Sequence, residues 1–228
     1  MFLYETHLHT ALVSKCAKIS PEQIVELYEK NGYDGVFVTD HFLNGNCYYN
    51  GRDDLSYAER VHLYAEGYRA VKAAAGDRLQ VFFGFEYSYR GTDILFYGWD
   101  EDALADIPEA LSLKPSEFIK FANERGILTV QAHPFREAAY IDHIRLFPGT
   151  EGVEVYNAGR TDLANDLAYQ YATAYGKIKT GGSDLHSAEQ SMLSGVAFHE
   201  RITSEAEFID ALRAGKGTVV KKPNVYQP

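Results

Sequence analysis

Six short apolar runs in this chain alternate with helix-like segments, and each run leads into a histidine, a carboxylate or an asparagine. The run over 2–8 ends in His7-Leu8-His9, 35–39 in Asp40-His41, and 79–85 in Glu86. The run over 127–132 ends in His133, 152–156 in Asn157, and 178–181 leads to Asp184-Leu185-His186. Short strands alternating with helices predict an α/β fold with a mostly parallel sheet. In a barrel of parallel strands the C-terminal strand ends converge in space, however far apart they lie in sequence. The pattern therefore predicts one polar site at the mouth of a barrel.

Helix signals support the alternation. Ser20-Pro21-Glu22-Gln23 combines an N-cap serine, a proline at the first helical position and a glutamine at the third. Ile24, Leu27 and Tyr28 then share one helical face, and Asn31-Gly32 stops the helix. Helices are expected over 55–75, 115–125, 161–175 and 204–214, with further strands at 92–99 and 217–221. Residues 44–54, rich in Asn, Gly, Tyr and Asp, read as a loop. With no internal repeat or linker tract, the 228 residues read as a single domain, 1–228.

An apolar fraction of 46% is enough for a full core without disulfides or a structural metal, so a metal here would serve chemistry. The net charge of -10 argues against binding duplex nucleic acid. Cys16 and Cys47 form no disulfide framework and read as reduced thiols, which points to a cytoplasmic protein. The first residues lack the marks of a signal peptide, and no apolar stretch is long enough to span a membrane. Oligomeric state has no signature in the sequence.

His7 and His9 are two residues apart, so on a strand both imidazoles reach the same side. Asp184 and His186 repeat the device, and Glu86 is a lone carboxylate placed to bridge two ions. A single His-x-His is a weak signal; five such signals at strand ends are not coincidental. Imidazole and carboxylate ligands suit zinc, manganese or iron.

The motifs Thr6-His7-Leu8-His9-Thr10, Ser14-Lys15-Cys16-Ala17, Val38-Thr39-Asp40-His41, Gly84-Phe85-Glu86, Ala132-His133-Pro134-Phe135-Arg136, Glu154-Val155-Tyr156-Asn157 and Gly182-Ser183-Asp184-Leu185-His186-Ser187 follow in order along nearly the whole chain. In order and spacing the chain resembles the PHP (polymerase and histidinol phosphatase) family of metal-dependent phosphoesterases. The resemblance implies a distorted (β/α)7 barrel with two or three divalent ions. It also implies that His7, His9, Glu86 and Asp184 hold one ion, that Glu86 and His133 share a second, and that His41 and His186 help hold a third. Asp40 would orient a neighbouring ligand.

Two positions depart from the family pattern. Where many members carry a histidine after the glutamate, this chain has Asp93, which joins the candidate ligands. Where many carry a histidine or aspartate after the first motif, this chain runs Ala11-Leu12-Val13-Ser14-Lys15-Cys16; Cys16 reads first as a small buried thiol, and Lys15 as a cation near a weakened third site.

The expected reaction is hydrolysis of a phosphate ester by a metal-activated hydroxide. Glu86, Arg136 and Arg160 are the expected catalytic residues, the two arginines as forks on the phosphate and Asn157 as a further substrate contact. The expected substrate is a small phosphorylated molecule or a short oligonucleotide. His62, His143 and His199 read as surface residues, and Tyr48, Tyr49 and Tyr57 as aromatic packing. The rival readings are a non-catalytic metal-binding module and a two-metal hydrolase of carbonyl esters or amides.

Overall fold

In the computed structural model, which describes residues 1–227, nine strands join in one sheet. They are β1 (Phe2–Glu5), β2 (Gly35–Val38), β3 (Gln80–Tyr89), β4 (Thr92–Tyr97), β5 (Leu128–Ala132), β6 (Gly152–Asn157), β7 (Ile178–Gly182), β8 (Met192–Phe198) and β9 (Thr218–Pro223). The helices are α1 (Pro21–Lys30), α2 (Tyr57–Tyr64), α3 (Glu66–Ala75), α4 (Glu101–Ala105), α5 (Glu109–Ser112), α6 (Pro115–Asn123), α7 (Asp162–Ala174) and α8 (Glu205–Arg213). The strand order is β7-β6-β5-β4-β3-β2-β1-β8-β9. The edge strand β7 comes back to the chain just past β1 through the parallel bridge Leu8–Leu185, so the sheet is a nearly closed barrel.

The (β/α)7 barrel that the resemblance implies, and the mostly parallel sheet, are corrected here. Four of the eight pairings are parallel and four antiparallel. The cause is local. β3 and β4 are joined by only Arg90-Gly91, both at positive φ (51° and 82°), the geometry of a two-residue hairpin. A parallel crossover needs a dozen residues or more. β8 was not anticipated; it lies antiparallel between β1 and β9. Glu86 is not at a strand end: β3 continues to Tyr89, and Glu86 sits mid-strand opposite Leu95. The helix expected over 55–75 is two helices meeting at Ala65.

Capping chemistry places α1 as its sequence requires. Ser20 accepts from the backbone N–H of Gln23, and Gln23 returns a bond to the backbone of Ser20. Aromatic packing fills the space behind β3 and β4. Phe85 and Phe96 stack at 4.8 Å, and Phe96 meets Phe118 at 4.9 Å. Truncating such a ring to alanine costs about 3–5 kcal/mol. Tyr49 and Tyr57 pack against this same cluster, as aromatic packing predicts. Among the described residues no helix is long and apolar enough to cross a membrane.

Candidate metal centre

The ends of β1, β2, β5 and β7, the middle of β3 and the start of β4 bring His7, His9, His41, Glu86, Asp93, His133, Asp184 and His186 together. Ligand atoms of His7, His9 and Asp184 lie within 4.8 Å of one another, as do those of Glu86, Asp93 and His133, and those of His9, His41 and His186. Asp93 and His9 add to the second and third of the ligand sets that the resemblance implies, and a fourth group, His7, His133 and Glu154, is equally close.

The barrel seam sets the first triad. Gly182 makes the approach possible: a Cβ there would lie 2.5 Å from the Cβ of His7 and 2.6 Å from Glu154 Oε1. The His7 and His9 Nε2 atoms are 3.2 Å apart, and both face Asp184 Oδ1, at 3.5 and 3.2 Å.

Hydrogen bonds from the far side of each ring fix which nitrogen faces inward. His7 Nδ1 donates to Glu154 Oε1 at 3.0 Å. Ser14 Oγ donates to Asp40 Oδ1 at 2.6 Å and so accepts from His9 Nδ1 at 3.2 Å. His186 Nδ1 donates to the carbonyl of Asp184 at 2.8 Å. All three rings thereby turn a bare Nε2 toward the centre, the tautomer a cation requires. Asp40 acts through Ser14 on His9, an orienting role of the kind expected for it.

Glu86 is the least compensated group. Its side chain is 1% exposed, and neither oxygen accepts a hydrogen bond from the protein. Oε1 faces His7 Nε2 at 3.2 Å and His133 Nε2 at 3.4 Å. Oε2 faces His41 Nδ1 at 2.6 Å, without the alignment of a hydrogen bond, and His9 Nε2 at 3.6 Å. A buried carboxylate with no donor is costly unless a cation compensates it. Two bare Nε2 atoms 3.2 Å apart repel each other for the same reason. Imidazole and carboxylate donors without a close-packed thiolate triad suit a divalent ion, so the residues fit the ions implied.

The carboxylates make the centre strongly negative, so that a proton on His7 or a cation is favoured there. Burial pushes His7 down, but Glu154, Asp184 and Glu86 outweigh it and hold His7 well above the usual imidazole range. Burial also opposes ionisation of Glu86 and Asp184, yet the histidines around them hold both well below the carboxylate range. Burial, with His186 and His41 alongside, keeps His9 well below its ordinary value, so His9 is neutral. Asp93 is raised, by burial first and Glu86 second.

The centre opens into a cavity of about 370 Å³ walled by Cys16, His41, Asp93, Arg136, Tyr140, Arg160 and His186, among others. Arg136 is held by Asp93 at 3.2 Å and Arg160 by Asp184 at 3.0 Å. Each also keeps a buried Nε–H with no partner. Asn157 is fully buried and lies away from this wall; its amide donates to Glu154 Oε2 at 2.8 Å. Cys16 is part-exposed against His186 and His41, not the buried packing thiol expected; Cys47 is the buried one. Burial resists ionisation of Cys16, but the bonds to His186 and His41 bring it down to about 6. Lys15 is exposed, next to Cys16 on the cavity wall. His62, His143 and His199 are on the surface.

The residue that sequence reading missed is Glu154, which holds the ring of His7, the backbone N–H of His133 and the amide of Asn157. Its signal was present: a glutamate in the apolar run Gly-Val-Glu-Val, where one side chain must be buried with partners.

Fold and site together define a nearly closed α/β barrel with a buried centre of imidazoles and carboxylates suited to divalent cations. The PHP-associated family model (PHP_C) matches residues 162–216. A two-domain protein from Bacteroides vulgatus that contains a predicted PHP-like metal-dependent phosphoesterase shares the fold, with TM-score 0.67 and 14% identity over 96% of this chain. This chain spans only 64% of that longer one. A Bifidobacterium adolescentis protein provisionally named a metal-dependent phosphoesterase aligns with TM-score 0.54 and 17% identity, over 92% of this chain and 95% of that one. An amidohydrolase from Chromobacterium violaceum, with bound sulfate, aligns with TM-score 0.53 and 14% identity over 80% of this chain and 87% of that one. No curated protein matches. The PHP-associated segment and the shared barrel agree with the resemblance to PHP-like proteins.

Proposed function

We propose that the protein is a metal-dependent hydrolase and that the bond it cleaves is a phosphate ester. Glu86 carries the reading: both oxygens are buried, neither has a donor, and four imidazoles face them. His7, His9, Glu86 and Asp184 would hold one divalent ion, and Glu86, Asp93 and His133 a second. His41 and His186 would take part in a third. Zinc, manganese and iron all suit these donors. When bound, such ions acidify water toward neutral pKa and offset charge on phosphoryl oxygens.

The chain's own residues account for recognition. Arg136 and Arg160 stand on the wall of the same cavity, each fixed by a carboxylate, and their guanidinium groups are donors for an anion. Fixed donors bind a phosphoryl group without first paying for their own ordering. A cavity of about 370 Å³ suits a small phosphorylated molecule or the end of a short oligonucleotide. The net charge of -10 disfavours a duplex.

The likeness to an amidohydrolase supports a second reading, hydrolysis of a carbonyl ester or amide. The two arginines favour phosphate over it. Elemental analysis of the purified protein, paired with hydrolysis of an aryl phosphate before and after chelation, tests both. Two or more ions per chain, with phosphatase activity lost on chelation and restored by manganese or zinc, is the expected result. Turnover of a carbonyl ester alone would move the assignment to the second reading. Bound metal with no turnover would leave a metal-binding module, and no metal at all would sink the centre.

A further inference from the structure

Beneath the centre lies a carboxylate that the chemistry above does not use. Glu5, the last residue of β1, is fully buried. Its Oε1 accepts from the backbone N–H groups of Thr6 (2.9 Å), His7 (2.8 Å) and Ser183 (2.8 Å). Its Oε2 accepts from the Tyr28 hydroxyl at 2.8 Å and from Ser183 Oγ. Five donors exceed the roughly four lone-pair sites of a carboxylate, so the group is saturated. The donors come from three places: the end of β1, helix α1, and the residue that follows β7.

This is where the barrel closes, and Thr6 Oγ1 also donates across it to Gly181 O at 3.0 Å. β1 pairs with β2 and with β8 only up to residue 5. β7 has a ladder to β6 and none to β1. Past Glu5, the seam is closed by the Leu8–Leu185 bridge, with His9 N donating to Leu185 O at 3.0 Å and Leu185 N to His7 O at 3.3 Å. One side of that seam carries His7 and His9, the other Asp184 and His186. Asp184 sits at φ +51°, a left-handed conformation that a residue with a side chain keeps only when its surroundings hold it there. Glu5 grips the residue immediately before it through both the N–H and the hydroxyl of Ser183.

We infer that Glu5 is a positioning residue for the metal centre: its carboxylate takes the place of the absent β1–β7 ladder and sets Asp184 against His7 and His9. The inference rests on the reading that the centre binds divalent ions. It deepens that reading by naming what fixes the distance between the two ligand pairs.

Manganese and cobalt binding to the folded protein provide the test, with circular dichroism and melting as controls for folding. Glu5→Gln keeps the volume and one acceptor oxygen for the three N–H groups, while Tyr28 and Ser183 can turn their hydroxyls to accept. Ser183→Ala removes one grip and leaves Glu5 in place. Glu205→Gln changes a carboxyl remote from the centre. Glu5→Gln and Ser183→Ala should weaken Mn(II) affinity about tenfold or more and alter the Co(II) d–d spectrum. Glu205→Gln should keep wild-type affinity and spectrum. Folded Glu5→Gln with wild-type affinity and spectrum would overturn the role of Glu5 and leave the centre standing. Should Glu5→Gln not fold, Ser183→Ala decides by the same criteria. A wild-type protein that binds no ion would sink the centre itself, and the role of Glu5 with it.

Discussion

His7 and Glu154 face each other in the floor of the barrel, with His7 Nδ1 3.0 Å from Glu154 Oε1 and both side chains fully buried. The other oxygen of Glu154 accepts from the backbone N–H of His133 at 3.0 Å. One carboxylate thus orients the ring of one candidate ligand and the backbone of another, and His133 sits at a strained φ of +25°. Partners of this kind set the tautomer and basicity of a metal-binding histidine.

Glu154→Gln should therefore lower Mn(II) affinity about 10- to 100-fold while the protein stays folded. Isothermal titration against wild type measures this. Equal affinities would show that the ring of His7 is oriented by its packing alone.

Adding metal should stabilise the protein in proportion to occupancy. At a hundredfold excess over Kd, one site contributes about 2.7 kcal/mol. For a chain of this length that is a rise in Tm of about 5–10 °C. Melting curves with EDTA and with Mn(II) or Zn(II) check it. In Glu86→Ala the rise should shrink or vanish, because the carboxylate shared between two ligand groups is gone.

Arg160 touches Asp184 and the cavity wall but is not a ligand. Arg160→Lys keeps the charge and removes the fork. It should cut kcat/KM on an aryl phosphate about tenfold or more, roughly the worth of a charge-assisted bond, with metal content unchanged. Loss of metal together with activity would make Arg160 a support for Asp184 instead.

Glu205 gives a pH signature away from the centre. Burial raises its carboxyl to about 7, against a bond from the backbone N–H of Phe83 at 2.8 Å that lowers it. A folded pKa above the unfolded one means the folded state holds the extra proton between about 4.5 and 7. This group therefore costs stability progressively as pH rises through that window. Glu205→Gln, which can still accept from Phe83, should match wild type near pH 4.5. It should exceed wild type above pH 7, by on the order of 2 kcal/mol. Denaturant melts at the two pH values decide it; a constant difference between the proteins would exclude a titrating Glu205.

Much of the centre was legible in one dimension because its elements are local. His7 and His9, or Asp184 and His186, show their shared direction from a spacing of two, and Ser20 with Gln23 shows a helix start from four residues. Short apolar runs between such signals mark strands whatever their partners, which is why eight of the nine were expected. β8 escaped because Met192–Phe198 contains serine and glycine where an apolar run was sought. That glycine is needed: a Cβ at Gly195 would fall 2.3 Å from the carbonyl oxygen of Tyr4.

Strand direction, the seam and the supporting carboxylates belong to the tertiary structure. Nothing in Arg90-Gly91 alone distinguishes a hairpin from the start of a longer connection until both residues adopt positive φ. Asp93 reads as a free ligand in sequence, yet in space Arg136 already claims one of its oxygens. The apolar run around Glu154 marks it as buried and Glu5 reads as an ordinary strand glutamate, but only closure of the barrel puts one under His7 and the other under Ser183. Residue type and local period are written along the chain, and so the ligands could be named from it. The cost of burying a charge depends on which distant donors surround it, and those are known only once the chain has closed on itself.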